Sequence, residues 1–197
     1  MLLSQDEARF PLVPTLHTTL GVKGYRPRGG TWDNKDQGSC CAALHLVTGQ
    51  VTTRLLEQPA RSQAKTGHSK QQRLQTTFVA HLQDMARRDP ASTFPEVVST
   101  IDKAPWHRGA GVEHVLEVSP HLRLYRLPSY SPQLNVIERF WRVLRRRAPH
   151  NRLLMSRASV RATLRSNISY FQTMRQKVLS LMASPRKAKK EAKLAAA

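Results

Sequence analysis

The chain has 197 residues, with 32 Lys and Arg against 13 Asp and Glu, giving a formal charge of +19 and a sequence pI near 11.2. That length and a 40% hydrophobic content suit one domain with a real core. No apolar run approaches the roughly 18 residues a bilayer span needs, and Met1-Leu2-Leu3-Ser4 is not a signal peptide, so a membrane or secreted class is excluded. So large a basic excess calls for a polyanionic partner, nucleic acid, gripped through its phosphates and released as salt rises.

In chain order, Leu2 to Phe10 is a weakly alternating run interrupted by Asp6 and Glu7. Arg9 to Lys23 and Ser39 to Leu56 read as antiparallel strands, the second turning at Thr48-Gly49-Gln50. Cys40 and Cys41 are adjacent, so on a strand they face opposite ways and build neither a disulfide framework nor a metal knuckle, in keeping with an intracellular protein. Between the strands, residues 21–36 are Gly-rich and basic; Arg26 and Arg28 there are either ordinary loop cations or contacts to a DNA backbone. Phe78, Val79, Leu82 and Met85 predict a helix over 72–88 ending near Asp89-Pro90. A β-branched strand runs from Glu96 to Asp102 and is stopped by Pro105. A short helix over 111–118 and an alternating strand over 122–127 follow.

Residues 127–141 carry the most information. Pro128 and Pro132 hold Ser129-Tyr130-Ser131 in an extended or turn backbone, after which a helix can start with Asn135 as N-cap. Ile137, Phe140, Trp141 and Leu144 form its apolar arc, Arg139, Arg142, Arg145, Arg146 and Arg147 the rest, and Glu138 falls at the arc's edge beside Arg142 and Arg145. Alone, Glu138 reads as a helix-start acid in a near capping box, favoured by the dipole and paired to Arg142. Alone, too, Asp102 reads as a loop cap before Pro105, although a strand-end acid faces the crevice where α/β folds keep their sites. Asp6 and Glu7 point to opposite faces of a strand, so only one of them can share a cleft with Asp102. His107 is either a phosphate contact, a further ligand, or an ordinary histidine.

Gln5-Asp6-Glu7, then Ile101-Asp102 with Ala104 and Trp106-His107-Arg108, then Leu127-Pro-Ser-Tyr-Ser-Pro-Gln-Leu-Asn135 with Ile137-Glu138-Arg139 and Trp141, resemble the catalytic domain of DDE transposases of the mariner-like insertion-sequence group. The third stretch is highly specific and the first weak. The resemblance implies a ribonuclease-H-like α/β fold, a mixed sheet flanked by helices, over residues 1–150. It also implies that Asp6, rather than Glu7, joins Asp102 and Glu138 in holding two Mg²⁺ ions, for which Mn²⁺ can substitute. Such acids serve in-line displacements at phosphorus, in which strands are cut and joined. Arg26, Arg28, His107, Arg108, Arg139, Arg142, Arg145 and Arg146 are then the expected DNA contacts, and transposon ends and target DNA the partners of a homodimer. Two positions depart from the family: Lys103 stands where Asn is usual, putting a positive charge near the metals, and Val136 where Pro is usual.

Val160, Leu164, Ile168, Phe171, Met174, Val178 and Leu181 predict one long helix within 151–184, packed on the core or on a partner, and the basic tail 185–197 is expected to be disordered until it meets phosphate. The family carries helix-turn-helix modules ahead of its catalytic domain, whereas Asp6 lies near residue 1. The chain is therefore expected to be a fragment, a second reading frame joined to an upstream one, or a decayed remnant. The leading expectation is a metal-dependent transposase domain acting on DNA in the cell interior, at the nucleoid if the host is bacterial. A non-catalytic nucleic-acid-binding remnant is the alternative, and an RNA-directed nuclease shares the same site.

Overall fold

A computed structural model of the chain describes residues 1–13, 20, 22–25, 28, 31, 37–56, 69–129, 131, 134–148 and 152–182. Arg26, most of the Gly-rich stretch and the tail 185–197 lie outside the described residues. Five strands form one mixed sheet: β1 (Leu2–Pro11), β2 (Gln37–His45), β3 (Val51–Leu55), β4 (Val97–Ile101) and β5 (Leu122–Arg126), in the order β3-β2-β1-β4-β5. β1 to β3 form an antiparallel meander, and β4 and β5 extend it in parallel from β1. The parallel joins require crossovers, supplied by α1 (Lys70–Arg88) between β3 and β4 and α2 (Ala110–Val118) between β4 and β5.

The sheet separates two apolar layers. On one face Ala8 and Phe10 of β1, Leu12 just after it, and Cys40, Ala42 and Leu44 of β2 pack with Ile137, Phe140, Trp141 and Leu144 of α3 (Ile137–Arg147). Val160, Leu164, Ile168 and Phe171 of α4 (Arg157–Thr173) and Val178 of α5 (Arg175–Met182) complete that layer. Leu3, Val97, Ile101 and Leu122 line the other face under Phe78, Leu82 and Met85 of α1 and Val112 and Val115 of α2. Cys40 and Cys41 lie on opposite faces, both buried, and burial pushes their thiols up, Cys40 to about 12, so neither is a reactive thiolate.

Several expectations are corrected. The weakly alternating run Leu2 to Phe10 is β1, Leu2–Pro11, and the strand expected over Arg9 to Lys23 does not continue past Pro11 among the described residues, with 14–19 and 21 outside them. Ser4, Gln5 and Asp6 are buried polar residues in a central strand, and they broke the apolar pattern that marks such a strand. The turn at 48–50 does form, with Gly49 at φ +70° and its open side against Leu179 of α5. The single long C-terminal helix is two, α4 and α5, divided at Met174, whose backbone leaves helical geometry while its N–H still donates to the Tyr170 carbonyl. Both pack on the sheet rather than standing off it.

His81 of α1 is fully buried, both ring nitrogens lack a partner among the described residues, and burial pulls its pKa down to about 4. A lowered histidine pKa leaves stability intact above the unfolded value of 6.5 and removes it as pH falls toward 4. His81→Leu is therefore expected to add about 2–3 kcal/mol at pH 4.5, with a smaller gain at pH 8, read from urea midpoints at the two pH values.

Candidate active site

Ser4 to Asp6 on β1 and the end of β4, with Asp102 directly after it, set the frame. Ser4 pairs in parallel register with Thr100; Asp6 lies two residues further along β1, and Asp102 one residue past the end of β4. Ser4 faces the start of α3. Ser4 Oγ donates to Asn135 Oδ1 at 2.8 Å and accepts the Ile137 N–H at 3.3 Å, which fixes the start of α3, and with it Glu138, against the middle of β1. Asn135 is therefore not the side-chain cap of α3 that its type predicts: the cap position is Val136, without a side-chain bond, and the Asn amide is spent on Ser4. Only the Asn135 carbonyl, accepting the Glu138 N–H at 3.2 Å, serves the first turn. Ser4→Ala strands Asn135 Oδ1 and the Ile137 N–H in a buried place; a loss of about 2 kcal/mol is expected, together with weaker metal-induced stabilisation, both readable by thermal melting.

The three acids differ in setting. Asp6 is 8% exposed. Burial first, then the charge of Glu7, then those of Glu138 and Asp102, push its carboxyl up to about 7 against the opposing bond from the Glu7 N–H. The charges of Glu138 and Asp102 are the smallest of these influences. The Asp102 side chain is 51% exposed and held below the usual range, chiefly by its bond from His107 and then by the Ala104 N–H, against partial burial. Glu138 is 42% exposed, with Arg145 Nη1 at 4.0 Å from Oε2. That neighbour lies seven residues along α3, two turns on, and not at Arg142. Beside Asp102, Lys103, Leu127, Pro128, Ser129, Ser131 and Asn135 line a cleft of about 290 Å³.

Glu7 faces the other layer. Its carboxylate accepts from His107 Nε2 at 3.0 and 3.1 Å, Trp106 Nε1 at 3.0 Å and Gln5 Nε2 at 3.0 Å. Burial alone would raise its pKa, and these bonds, His107 foremost, hold it low. His107 Nδ1 lies 2.9 Å from Asp102 Oδ1. With an acceptor at each nitrogen the ring is an imidazolium; burial opposes the charge, and the bonds to Asp102 and Glu7 carry it up to about 9. The side chain of His107 is 0% exposed, so its expected contact with DNA phosphate is corrected: no face of the ring is open to one. The remaining cations keep outward positions. Arg28, Arg108, Arg142 and Arg146 are exposed, Arg145 lies near Glu138, and Arg139 Nη1 donates to the Met182 carbonyl at 3.1 Å. Sequence reading missed the Glu7–His107 bridge and the Ser4–Asn135 bond, each joining residues a hundred or more positions apart. Only the adjacency of Asp6 and Glu7 on a strand, which forces one acid to the far face, pointed toward the first.

An all-oxygen set of two Asp and one Glu suits a hard divalent cation. Among the described residues no three His, Cys, Asp or Glu side chains are drawn together tightly enough to hold an ion as they stand. Closure then falls to Glu138, whose half-exposed side chain can swing, while Asp6 is fixed in its strand. No helix among the described residues is long and apolar enough to cross a membrane.

Comparison by sequence with curated proteins gives no match. Among solved structures, the chain is similar to the Mos1 transposase paired-end complex with left transposon end, at 18% identity and a TM-score of 0.58. It is also similar to a pre-cleavage Mos1 transpososome, at 16% and 0.61, and both alignments cover 92% of this chain and 53% of the other. The catalytic domain of Mos1 mariner transposase matches at 16% and 0.54, covering 92% of this chain and 78% of that one. The chain thus spans about half the length of the Mos1 chains in the two complexes, and at such identities the likeness is one of fold, a ribonuclease-H-like mixed sheet with flanking helices. A family model described as DDE superfamily endonuclease matches residues 1–161, which hold the whole sheet and the helix that carries Glu138. Matched over most of its length, the chain belongs to the DDE superfamily endonucleases.

Proposed function

We propose that the chain is the catalytic domain of a transposase that cuts DNA strands and joins the released 3′ ends to target DNA. The observation that carries this reading is the family match over residues 1–161, together with the placement of Asp6 on β1, Asp102 just past the end of β4 and Glu138 at the start of α3, which Ser4 pins to β1. Asp6 and Asp102 would be the primary ligands of two Mg²⁺ ions, or of Mn²⁺ in their place, and Glu138 the third. Bound there, such ions activate an attacking oxygen and stabilise a leaving one. The residues of the chain do the rest: Asp6 is rigid in the strand, Asp102 offers Oδ2 to the cleft, and the start of α3 brings Glu138 within reach.

Arg28, Arg108, Arg139, Arg142, Arg145 and Arg146, with Arg26, are proposed to hold the DNA backbone, and His107 is withdrawn from that set. Lys103 lines the cleft beside Asp102 and adds a charge that suits a phosphate more than a metal. Handling two transposon ends calls for two copies of the chain, so a homodimer acting at the chromosome, the nucleoid in a bacterial host, is part of the proposal.

The test is nicking of supercoiled plasmid at low salt in Mn²⁺, run beside Glu138→Gln. Nicking by the wild type that vanishes with chelator and in the variant supports the reading. DNA binding without nicking by either protein would replace it with a binding role.

A further inference from the structure

We propose that Glu7 is a positioning residue for the metal-binding acids: acting through His107, it holds Asp102 with Oδ1 turned inward and Oδ2 presented to the cleft. This rests on the assignment of Asp6, Asp102 and Glu138 as ligands made above. Glu7 cannot share ions with Asp6, because successive residues of β1 point to opposite faces. Instead its buried carboxylate is held by donors from Gln5, Trp106 and His107, with the Cys41 thiol at 3.8 Å from Oε1, which fixes its orientation. The His107 ring is held in turn by Phe78, centroids 4.3 Å apart, and by the edge-on Trp106 at 5.9 Å. Nδ1 of that ring lies 2.9 Å from Asp102 Oδ1 and 3.3 Å from the Asp102 carbonyl oxygen, and the Ala104 N–H donates to Oδ1 at 2.9 Å.

Two donors thus fix Oδ1, and Oδ2 has no hydrogen bond among the described residues. A run of contacts crosses from the α1 layer, through the sheet edge, to the face that carries the acids. Partners of this kind orient the carboxylates that bind metal, and their loss weakens metal affinity by about 10–100-fold. Gln at position 7 would fill the same volume but keep only one acceptor oxygen, so its amide NH2 would face part of this donor set. What the acid adds is a charge-assisted bond to His107, about twice as strong as a neutral one.

The experiment titrates Mn²⁺ into the full chain, reads free Mn²⁺ by electron paramagnetic resonance, and records the melting temperature of every variant. Glu7→Gln is expected to raise the Kd for Mn²⁺ by about 10-fold or more. His107→Gln sets an amide nitrogen near the place of Nε2, reaching Glu7 and not Asp102, and is expected to weaken binding about as much. His107→Asn sets one near the place of Nδ1, reaching Asp102 and not Glu7. Its loss should match that of Glu7→Gln, and adding Glu7→Gln to it should change nothing further. A merely structural pair would lower melting temperatures while leaving Mn²⁺ affinity level across the set, and that result overturns the proposal. Wild type that takes no Mn²⁺ overturns the ligand assignment itself, and this role with it; tight wild-type binding unchanged by Glu7→Gln overturns this role alone.

Discussion

Asp102→Asn is expected to abolish metal-dependent strand cutting, by about 10³-fold or more, while the fold and the affinity for DNA stay as they are. The change is isosteric, and Asn Oδ1 can still accept from His107 and from the Ala104 N–H. The amide NH2 then occupies the place of Oδ2, facing the cleft with a donor where a cation needs an acceptor. Losing one charged ligand removes several kcal/mol of charge stabilisation at the reacting phosphate, which is the origin of the factor. DNA affinity rests on the +19 excess spread over the chain and is expected to be unchanged or raised, since one repelling carboxylate is gone. Single-turnover cutting of a labelled duplex and a binding titration at two salt concentrations check the two halves. Cutting at the wild-type rate would remove Asp102 from the site.

Asp6→Asn should do the reverse to stability. A carboxyl whose pKa rises from 3.8 to about 7 on folding favours the fold while protonated. That contribution is whole below pH 4 and lost as pH climbs through 7, so above pH 7 the metal-free protein carries a buried, repelled charge. Three units correspond to about 4 kcal/mol, an upper bound, since Asn must also find partners in that place. In a chain of this size the gain at pH 8 is expected to raise the melting temperature by about 10 °C, shrinking toward zero at pH 4. With Mn²⁺ added the order should invert: the wild type is stabilised by ligation and the variant does not respond. Equal melting of the two metal-free proteins at pH 8 would show that Asp6 is not strained by its neighbours.

What could be read from the sequence was the part with a local signal. The Pro128-to-Trp141 stretch carries its own turn chemistry and helical period, and Ile137, Phe140, Trp141 and Leu144 are buried as their spacing demands. The short β-branched strand ending before Asp102 and the α1 stripe were visible for the same reason. β1 showed only a weak alternation because Ser4, Gln5 and Asp6 put polar atoms where a buried central strand normally shows aliphatic ones, and what they do is settled by residues far along the chain. The roles of Ser4 with Asn135 and of Glu7 with His107 have no periodicity to betray them. Asn135 shows the limit most plainly: its type announces a helix cap, and tertiary structure claimed the side chain first.

The parallel register of Leu2 with Val98 has a consequence for synthesis of the chain. A ribosome delivers β1 first and β4 nearly a hundred residues later, and the helix bearing Glu138 later still. The meander of β1 to β3 can form early, but of the three proposed ligands it holds only Asp6. On that assignment, a nascent chain lacks the full set of acids until translation has passed α3.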